Sequence, residues 1–305
     1  MVISSRDMLL KGPLPLDRAL KDKKVDGQIG GTTTMKLIAI LLTTSALPLV
    51  AQWLNYPDAR TPRTKDGKPN LTGPAPRMSG KPDLSGVWQA ERTPESEFAA
   101  VLGNDPRRLQ VDLNDVTKHY VDIFWGLKPE EQPLRSEAVA ILKQRKAVDQ
   151  PSANCLPDSI PAGMFVLTFK MIQAPQEIVI LSEGTNPSRQ IYTDGRSLPK
   201  DPQPSWMGYS VGKWQGDTLV VDTIGFNEKS WLDGSGHPRS EGMRMRETYR
   251  RRDFGHMNVA VTIEDPKYYT RPFGFKTGLN LIPDSDVLEY VCAENEKDHT
   301  RMGVK

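Results

Sequence analysis

The chain has 305 residues, of which 37% are hydrophobic and 26% charged, and its formal net charge is +2. Residues 1–51 hold seven of the 40 Lys and Arg residues and four of the 38 Asp and Glu residues, so the remainder carries 33 basic against 34 acidic residues, or −1. A nearly neutral remainder gives no indication of nucleic-acid binding, and the length exceeds that of one small domain.

An apolar run near the N-terminus predicts export. Met35 and Lys36 precede the hydrophobic stretch 37–51, which ends in a small residue as a bacterial Sec-type signal peptide does. The stretch is short for a membrane span, and no later run reaches about 18 apolar residues. We therefore expect cleavage after Ala51 and a periplasmic or extracellular protein without a membrane span. Residues 1–34 are interpreted as an upstream reading-frame extension, with a long n-region as the alternative.

The two cysteines of the chain, Cys155 and Cys292, both lie in the exported part. Oxidising compartments favour disulfides, so the simplest expectation is one bond between them. The chain-entropy estimate for such a long loop is about 4–5 kcal/mol. Two buried free thiols are the alternative.

Residues 52–82 are predicted to form a Pro/Gly-rich arm, and residues 83–305 to form one β-barrel domain. The arm carries a duplicated motif, at 67–73 and 80–86, whose Gly, Pro and Asn/Asp residues are typical of exposed turns. The second copy leads into Gly86-Val87-Trp88, the G-x-W of the first strand in lipocalin-type barrels, where the Trp plugs one end. An edge Trp packed on a helix is the alternative.

A helical insertion is predicted over residues about 93–150. Its clearest part is 129–146, where Leu134, Ala138 and Ile141 follow helical spacing and acidic residues precede basic ones, as the helix dipole favours. We interpret the insertion as a lid or flank over one opening of a barrel.

Short alternating segments separated by turn residues fill most of the chain after Cys155. They are Met164–Ile172, Glu177–Ser182, Gln190–Asp194, Tyr209–Trp214, Thr218–Ile224, Met243–Arg251, Met257–Glu264 and Val287–Cys292, and one more, Leu84–Trp88, precedes Cys155. About nine short strands in sequential order predict a mainly β protein, an antiparallel up-and-down barrel of lipocalin or calycin type. Closure of the barrel is favoured because it removes exposed strand edges.

Several long motifs resemble those of a known family. They are Lys81–Trp88, Asn154–Pro157, Gln190–Arg196, Gly208–Asn227, Trp231–Asp233, Thr262–Pro266 and Glu289–Asn295. Over roughly residues 56–299 the chain resembles a family of secreted bacterial proteins of unassigned activity. The resemblance implies export and no particular reaction. Where the family has Pro-His-Ser before the Met243 strand, this chain has His237-Pro-Arg-Ser240.

The Met243 strand contains the most informative candidate for catalysis. Met243, Met245, Glu247 and Tyr249 share one face because side chains alternate along a strand. If this face points inward, burial raises the pKa of Glu247 and makes it a candidate acid or base. The alternative is a buried Glu bridged to an Arg or a Tyr. Asp222 is a further candidate acid, with capping of the following turn as its alternative.

The loop 225–237 places Asn227, Trp231, Asp233 and His237 within a short, Gly-bearing stretch. Loops at the mouth of a barrel often carry function, so these residues are candidates for ligand contact and catalysis. The alternative is that Trp231 corks the barrel.

These candidates support two main hypotheses about function. The first is a protein that binds a small apolar or amphipathic ligand in the barrel lumen, through Trp231, Asn227, Tyr249, Met245, Tyr192 and Arg196. The second is an isomerase, lyase or hydrolase in which Glu247 works with Asp222, Asp233 or His237. A cell-envelope interaction module is a third possibility. The four histidines show no metal-ligand spacing and no phosphate-binding loop is present, so we expect no metal or cofactor, and a monomer.

Overall fold

The computed structural model describes residues 57–102, 117–158 and 160–292, and nine of its strands form a closed barrel. Two short strands in the arm come first, β1 (Arg77–Met78) and β2 (Lys81–Pro82). The barrel strands are β3 (Gly86–Ala90), β4 (Phe169–Gln173), β5 (Glu177–Ser182), β6 (Arg189–Tyr192), β7 (Tyr209–Gln215), β8 (Thr218–Ile224), β9 (Arg244–Arg251), β10 (His256–Glu264) and β11 (Phe273–Leu281). The predicted mainly β barrel is confirmed. The predicted signal peptide lies outside the described residues.

The strands follow one another around the barrel in chain order, and β11 closes it against β3. Eight of the nine neighbouring pairs are antiparallel, and β6 with β7 is parallel. Strand direction cannot alternate all the way around a ring with an odd number of strands, so one parallel pair is required. The connection 193–208 therefore has to return along the barrel before β7 begins. The up-and-down prediction holds except at this pair.

The last predicted strand was wrong. Residues 287–292 form no strand, and the side chains of Tyr290 and Val291 are half-exposed. The ninth strand is instead β11, whose Gly274 and Gly278 weakened its strand pattern in the sequence. A Cβ at Gly274 would lie 1.9 Å from the carbonyl oxygen of Val261, so the close approach of β10 requires the residue that obscured the strand.

Side chains from alternate strand positions fill the lumen. The inward residues include Trp88, Phe169, Met171, Ile178, Ile180, Ile191, Leu219, Val221, Met245, Tyr249, Met257, Val259, Val261, Ile263 and Leu279, all of them buried. A cavity next to Arg189 has a volume of about 10 Å³, at the lower limit for one water molecule. A ligand of more than a few atoms would have to displace these side chains.

The helical insertion and three loops lie at one end of the barrel, which we call the insertion end. It comprises the described parts of the connection 91–168, which are 91–102, 117–158 and 160–168, together with the β5–β6 loop 183–188, the β8–β9 loop 225–243 and the β10–β11 loop 265–272. The described helices of the insertion are α1 (Glu95–Leu102), α2 (Lys118–Val121) and α3 (Ser136–Gln144). Helix α3 is shorter than the predicted helical segment 129–146. Ala138 is its fully buried residue, and Leu134 instead pairs with Tyr269 in an isolated bridge.

The opposite end, which we call the turn end, carries the short connections 174–176, 216–217 and 252–255. Trp88 is fully buried there, and the Arg251 guanidinium lies 4.9 Å from its ring centroid. Arg251 donates to the carbonyl oxygens of Asp83, Ser85, Asp253 and Phe254. The arm also binds this end, because Gly255 donates to Leu71 through the main chain. Trp88 and Arg251 together therefore close the turn end.

The predicted disulfide is present. Cys155 and Cys292 are bonded, with their Cα atoms 5.5 Å apart. The bond ties the C-terminal segment to the end of the insertion rather than to a strand, because residues 287–292 lie outside the sheet. Over the described ranges, no helix combines the length and the hydrophobicity that crossing a membrane requires.

Candidate functional site

The structure distributes the predicted site residues over three places. Glu247, Tyr249 and Met245 lie in the lumen. Asn227, Trp231, Asp233 and His237 lie in the β8–β9 loop at the insertion end. Asp222, Tyr192 and Arg196 lie on the outer wall of the barrel. The candidate residues therefore do not line one shared pocket, and each of the three groups is described separately below.

Glu247 faces inward, as the alternation predicted, but it is bound on all sides. Both of its carboxylate oxygens accept from Arg189, and Tyr249 donates to Oε1 at 2.7 Å. Arg189 uses its other N–H groups on Ser210, Thr223 and the sulfur of Met164. Burial opposes the charge of Arg189, but the charge of Glu247, its hydrogen bonds and the neighbouring Tyr249 together outweigh burial and raise the pKa of Arg189.

This lumen cluster matches the alternative in which Glu247 is bridged to an Arg and a Tyr. Burial first, and then the charge of Glu247, raise the pKa of Tyr249 well above its usual value, so the phenol remains a hydrogen-bond donor. Glu247 and Arg189 have at most 1% of their side-chain surfaces exposed. A charge that is enclosed and fully hydrogen-bonded stabilises one barrel geometry, and a substrate has no path to it in this packing.

The predicted roles of Asp222, Tyr192 and Arg196 in a lumen site were wrong, because these side chains face away from the lumen. Asp222 alternates with the inward residues of β8, so its carboxylate points outward and binds Arg246 at 2.7 Å. It cannot act with Glu247, which faces the other side of the sheet. Tyr192 faces outward in the same way, and Arg196 stacks over its ring at 3.8 Å while binding Asp194. These side chains form a cluster on the outside of the barrel and face away from the lumen.

The β8–β9 loop holds a buried pair, Asp233 and His237. Asp233 Oδ2 accepts from His237 Nδ1 and from the Ile123 amide, both at 2.6 Å. Its Oδ1 accepts from the amides of Gly236 at 3.0 Å and His237 at 3.1 Å. Gly236 has a φ of +93°, a conformation that glycine adopts without strain. This backbone conformation lets the loop fold back so that four donors meet one carboxylate.

The hydrogen bond to Asp233 fixes the tautomer of His237. An ionised carboxylate only accepts hydrogen bonds, so Nδ1 carries the proton and Nε2 is left as the acceptor in the neutral ring. Burial opposes the imidazolium, but the charge of Asp233 and its hydrogen bond outweigh burial and raise the pKa of His237. The pair is thus arranged for the uptake and release of a proton at Nε2.

Residues of the insertion surround this pair. Phe124 packs edge-on against His237, with ring centroids 4.8 Å apart. Arg145 lies over the Trp231 ring at 5.1 Å and donates to the Gly236 carbonyl at 2.7 Å. Trp231 is buried, so it packs within the mouth of the barrel under Arg145.

A second acidic residue, Asp122, lies next to the pair. One potential ligand atom from each of Asp122, Asp233 and His237 falls within 4.8 Å of the others, so among the described residues this group could hold a metal ion. Asp233 already accepts four hydrogen bonds, however, and an ion would have to compete with them. The donor set therefore fits acid–base chemistry better than metal binding.

Buried polar atoms without a partner also concentrate at the insertion end. Within the described residues they are His119 Nδ1, Trp125 Nε1, Asn186 Oδ1 and Arg239 Nη1. Each such atom costs about 1–3 kcal/mol, and folded proteins contain few of them. All four belong to the insertion, the β5–β6 loop or the β8–β9 loop. The insertion end is consequently the part of the barrel whose polar groups are least well satisfied internally.

Asn227 has a structural role in this loop. Its carbonyl oxygen accepts from Arg239 Nε at 2.9 Å, and its side-chain oxygen accepts from Arg239 Nη2 at 3.3 Å. Arg239 also donates to the Trp206 carbonyl, which joins the β6–β7 connection to the β8–β9 loop. Burial lowers the pKa of Arg239 to about 9. The predicted ligand contact at Asn227 is thus occupied by a neighbouring side chain.

Sequence reasoning missed three residues of these sites: Arg189, Asp122 and Arg145. Arg189 could have been found, because it alternates with Ile191 and therefore shares its inward face. Asp122 and Arg145 carry no such signal. They reach the pair only because the insertion folds back over the barrel mouth.

No protein-family model matches this chain, and a comparison with curated proteins gives no match. The class that the fold and the site define is therefore a closed nine-strand barrel with a buried Asp–His pair at its mouth.

Proposed function

We propose that this protein is an exported enzyme that uses Asp233 and His237 for general acid–base catalysis on a small molecule at the insertion end. The observation that carries the proposal is the buried carboxylate with four donors, which fixes an imidazole through Nδ1. Export is supported by the apolar run 37–51 and by the Cys155–Cys292 bond. The resemblance to secreted bacterial proteins supports export alone.

In the proposed mechanism, His237 Nε2 takes a proton from the substrate and later returns it. Asp233 stabilises the imidazolium that forms, as the orienting carboxylate does in related dyads. Arg145, whose side chain binds the Gly236 carbonyl, supplies positive charge near developing negative charge on the substrate. Isomerases, lyases and hydrolases all need such a transfer, which contributes roughly 10²–10⁴-fold to rates.

The lumen is a weaker candidate for either catalysis or ligand binding. Both carboxylate oxygens of Glu247 are bound by Arg189, and Tyr249 binds one of them as well. The adjoining cavity of about 10 Å³ is far smaller than a typical ligand site of roughly 300–1,000 Å³. The small-molecule site is therefore placed by this proposal at the mouth rather than inside the barrel.

Hydrolysis of p-nitrophenyl acetate by the full chain tests the proposal, because this ester reports a reactive imidazole. We expect His237→Ala to lower the rate by about 10²-fold, the usual range for loss of a general base. The matched control is His256→Ala, since His256 also binds an aspartate through Nδ1, at 2.7 Å, but at the turn end.

Thermal unfolding of each variant separates loss of the fold from loss of the reactive group. Equal rates in wild type and His237→Ala would contradict the proposal. An equal loss in the two histidine variants would also contradict it, because the reactivity would then not belong to the buried pair.

A further inference from the structure

The outer wall of the barrel carries a groove of about 680 Å³ that none of the predicted site residues lines. Its floor is formed by β9, β10 and β11, and its wall by residues 91–94, Glu97 and 117–119 of the insertion. This volume falls in the range of small-molecule sites, roughly 300–1,000 Å³.

The register of the strands brings small or uncharged residues together in the floor. Thr248 pairs with Ala260, and Ala260 pairs with Lys276. In the next outward row, Arg250 pairs with Asn258, and Asn258 pairs with Gly278. The floor is therefore shallow at Ala260, whereas the Glu91 carboxylate covers Gly278, where an added Cβ would lie 2.1 Å from Glu91 Cδ. Each row has one long cation at its side.

The charges of the groove are unequal. Its two acidic residues face basic partners, Glu97 with Lys118 at 2.7 Å and Glu91 with Arg252 at 3.8 Å. For Arg250 and Lys276, the described part of the chain provides no carboxylate within 4 Å. The described residues that line the groove include five basic and two acidic ones, and this excess of positive charge favours an anion there.

His119 adds an aromatic surface to the wall. Its ring stacks on Phe275, with centroids 4.5 Å apart and planes 22° apart. Burial and then the charge of Lys118 lower the pKa of His119 to about 4, so the ring is neutral near pH 7. Its Nδ1 has no hydrogen-bond partner within the described residues but is buried, so the wall presents the face of the ring to a ligand rather than this atom.

We propose that this outer groove binds a small amphipathic organic anion, with its acidic group between Arg250 and Lys276 and its apolar part against Ala260, Pro94 and the neighbouring wall. The inference does not depend on the proposed catalysis, because the residues of the groove are separate from Asp233 and His237.

Two dyes that differ by one sulfonate test the proposal: 8-anilinonaphthalene-1-sulfonate and its uncharged analogue N-phenyl-1-naphthylamine. With the full chain, we expect the sulfonate to bind at least about tenfold tighter, which corresponds to about 1.4 kcal/mol. The preference should decrease as salt is added, since salt screens exposed charges. It should disappear in the double variant Arg250→Gln/Lys276→Gln.

The control is Arg244→Gln/Lys213→Gln, which removes two outward cations that do not line the groove. Amide chemical shifts locate the dye, and we expect changes at Ala260, Asn258 and Gly278. Equal affinity for the two dyes, an equal loss in the control, or shift changes confined to other strands would overturn the proposal. Dye binding that persists in His237→Ala while ester hydrolysis is lost would show that the groove and the buried pair are independent.

Discussion

The two ends of the barrel each contain an Asp–His pair, and the difference between them shows what burial contributes. At the insertion end, Asp233 and His237 are joined at 2.6 Å with side chains 0% and 4% exposed. At the turn end, Asp253 and His256 are joined at 2.7 Å, and both side chains are 27% exposed. The same hydrogen bond between an aspartate and His Nδ1 thus occurs once in a buried environment and once where both side chains are partly exposed to solvent.

The surroundings decide what each pair can do. Asp253 accepts from His256 and the Gly255 amide and serves the turn between β9 and β10. Asp233 accepts four hydrogen bonds, one of them from the insertion. Electrostatic interactions strengthen as water is excluded, so the contact between Asp233 and His237 is stronger than the same contact would be in water. The Nδ1 contact alone therefore does not distinguish a pair that stabilises a turn from a candidate acid–base pair.

The largest expected effect compares a buried with an exposed ion pair, one on each face of β9. Arg189→Met leaves Glu247 buried without its cation, which typically costs about 3–5 kcal/mol of unfolding free energy. Arg246→Met removes the outward partner of Asp222, and an exposed pair contributes about 0–1 kcal/mol. Urea unfolding measures both. The double variant Arg189→Met/Glu247→Leu should recover most of the loss, and a loss below about 1 kcal/mol in Arg189→Met would show that the cluster is not enclosed.

A smaller effect is expected from the two aspartates themselves. Asp233→Asn replaces a charged carboxylate that accepts four hydrogen bonds, and the amide NH₂ of the new side chain would face N–H donors. We therefore expect the free energy of unfolding to fall by about 2–3 kcal/mol. Asp253→Asn, its matched control, should cost about 0–1 kcal/mol because the pair is open to water. Urea unfolding of the full chain provides the comparison. Similar losses in both variants would remove the distinction between the two ends.

The smallest effect is a pH dependence that the buried pair should produce. Because the pKa of His237 is raised in the folded state, the folded protein binds the extra proton. Its stabilisation is complete below the unfolded pKa, near 6.5, and is lost as the pH rises through the folded pKa. The slope cannot exceed about 1.4 kcal/mol per pH unit for one proton.

Unfolding free energies of wild type and His237→Gln between pH 5 and pH 9 measure this contribution. The difference between the two proteins should decrease as the pH rises. A constant difference would mean that His237 contributes packing and hydrogen bonds but no linked proton.

Much of the barrel could be predicted because each strand carries its own local pattern. Glu177–Ser182 and Thr218–Ile224 have the predicted bounds, since alternation and flanking turn residues lie within a few positions. The strand β11 was missed because Gly274 weakens its sequence pattern. A glycine is required at that position because the Val261 carbonyl of another strand leaves no room for a Cβ. The parallel pair was missed for a similar reason, because it follows from closing a ring of nine strands.

The candidate site could be predicted only in part. Asp233 and His237 were found because both lie in one short loop. Their partners Ile123 and Arg145 come from the insertion, about ninety to a hundred and ten positions away, and no spacing rule connects them. The inward orientation of Glu247 was predictable from alternation, whereas its neutralisation by Arg189 depends on the packing of β6 across the lumen.

The sequence by itself determined eight of the nine barrel strands, most of the turns, the cystine partners and the inward face of β9, because these depend on local periodicity or on having only two cysteines. The tertiary structure decided that the lumen is filled, that Asp222 faces away from Glu247, and that one Asp–His pair is enclosed while the other stays open. The physical reason is that burial and charge pairing depend on which segments meet in space, and distant parts of the chain supply those segments.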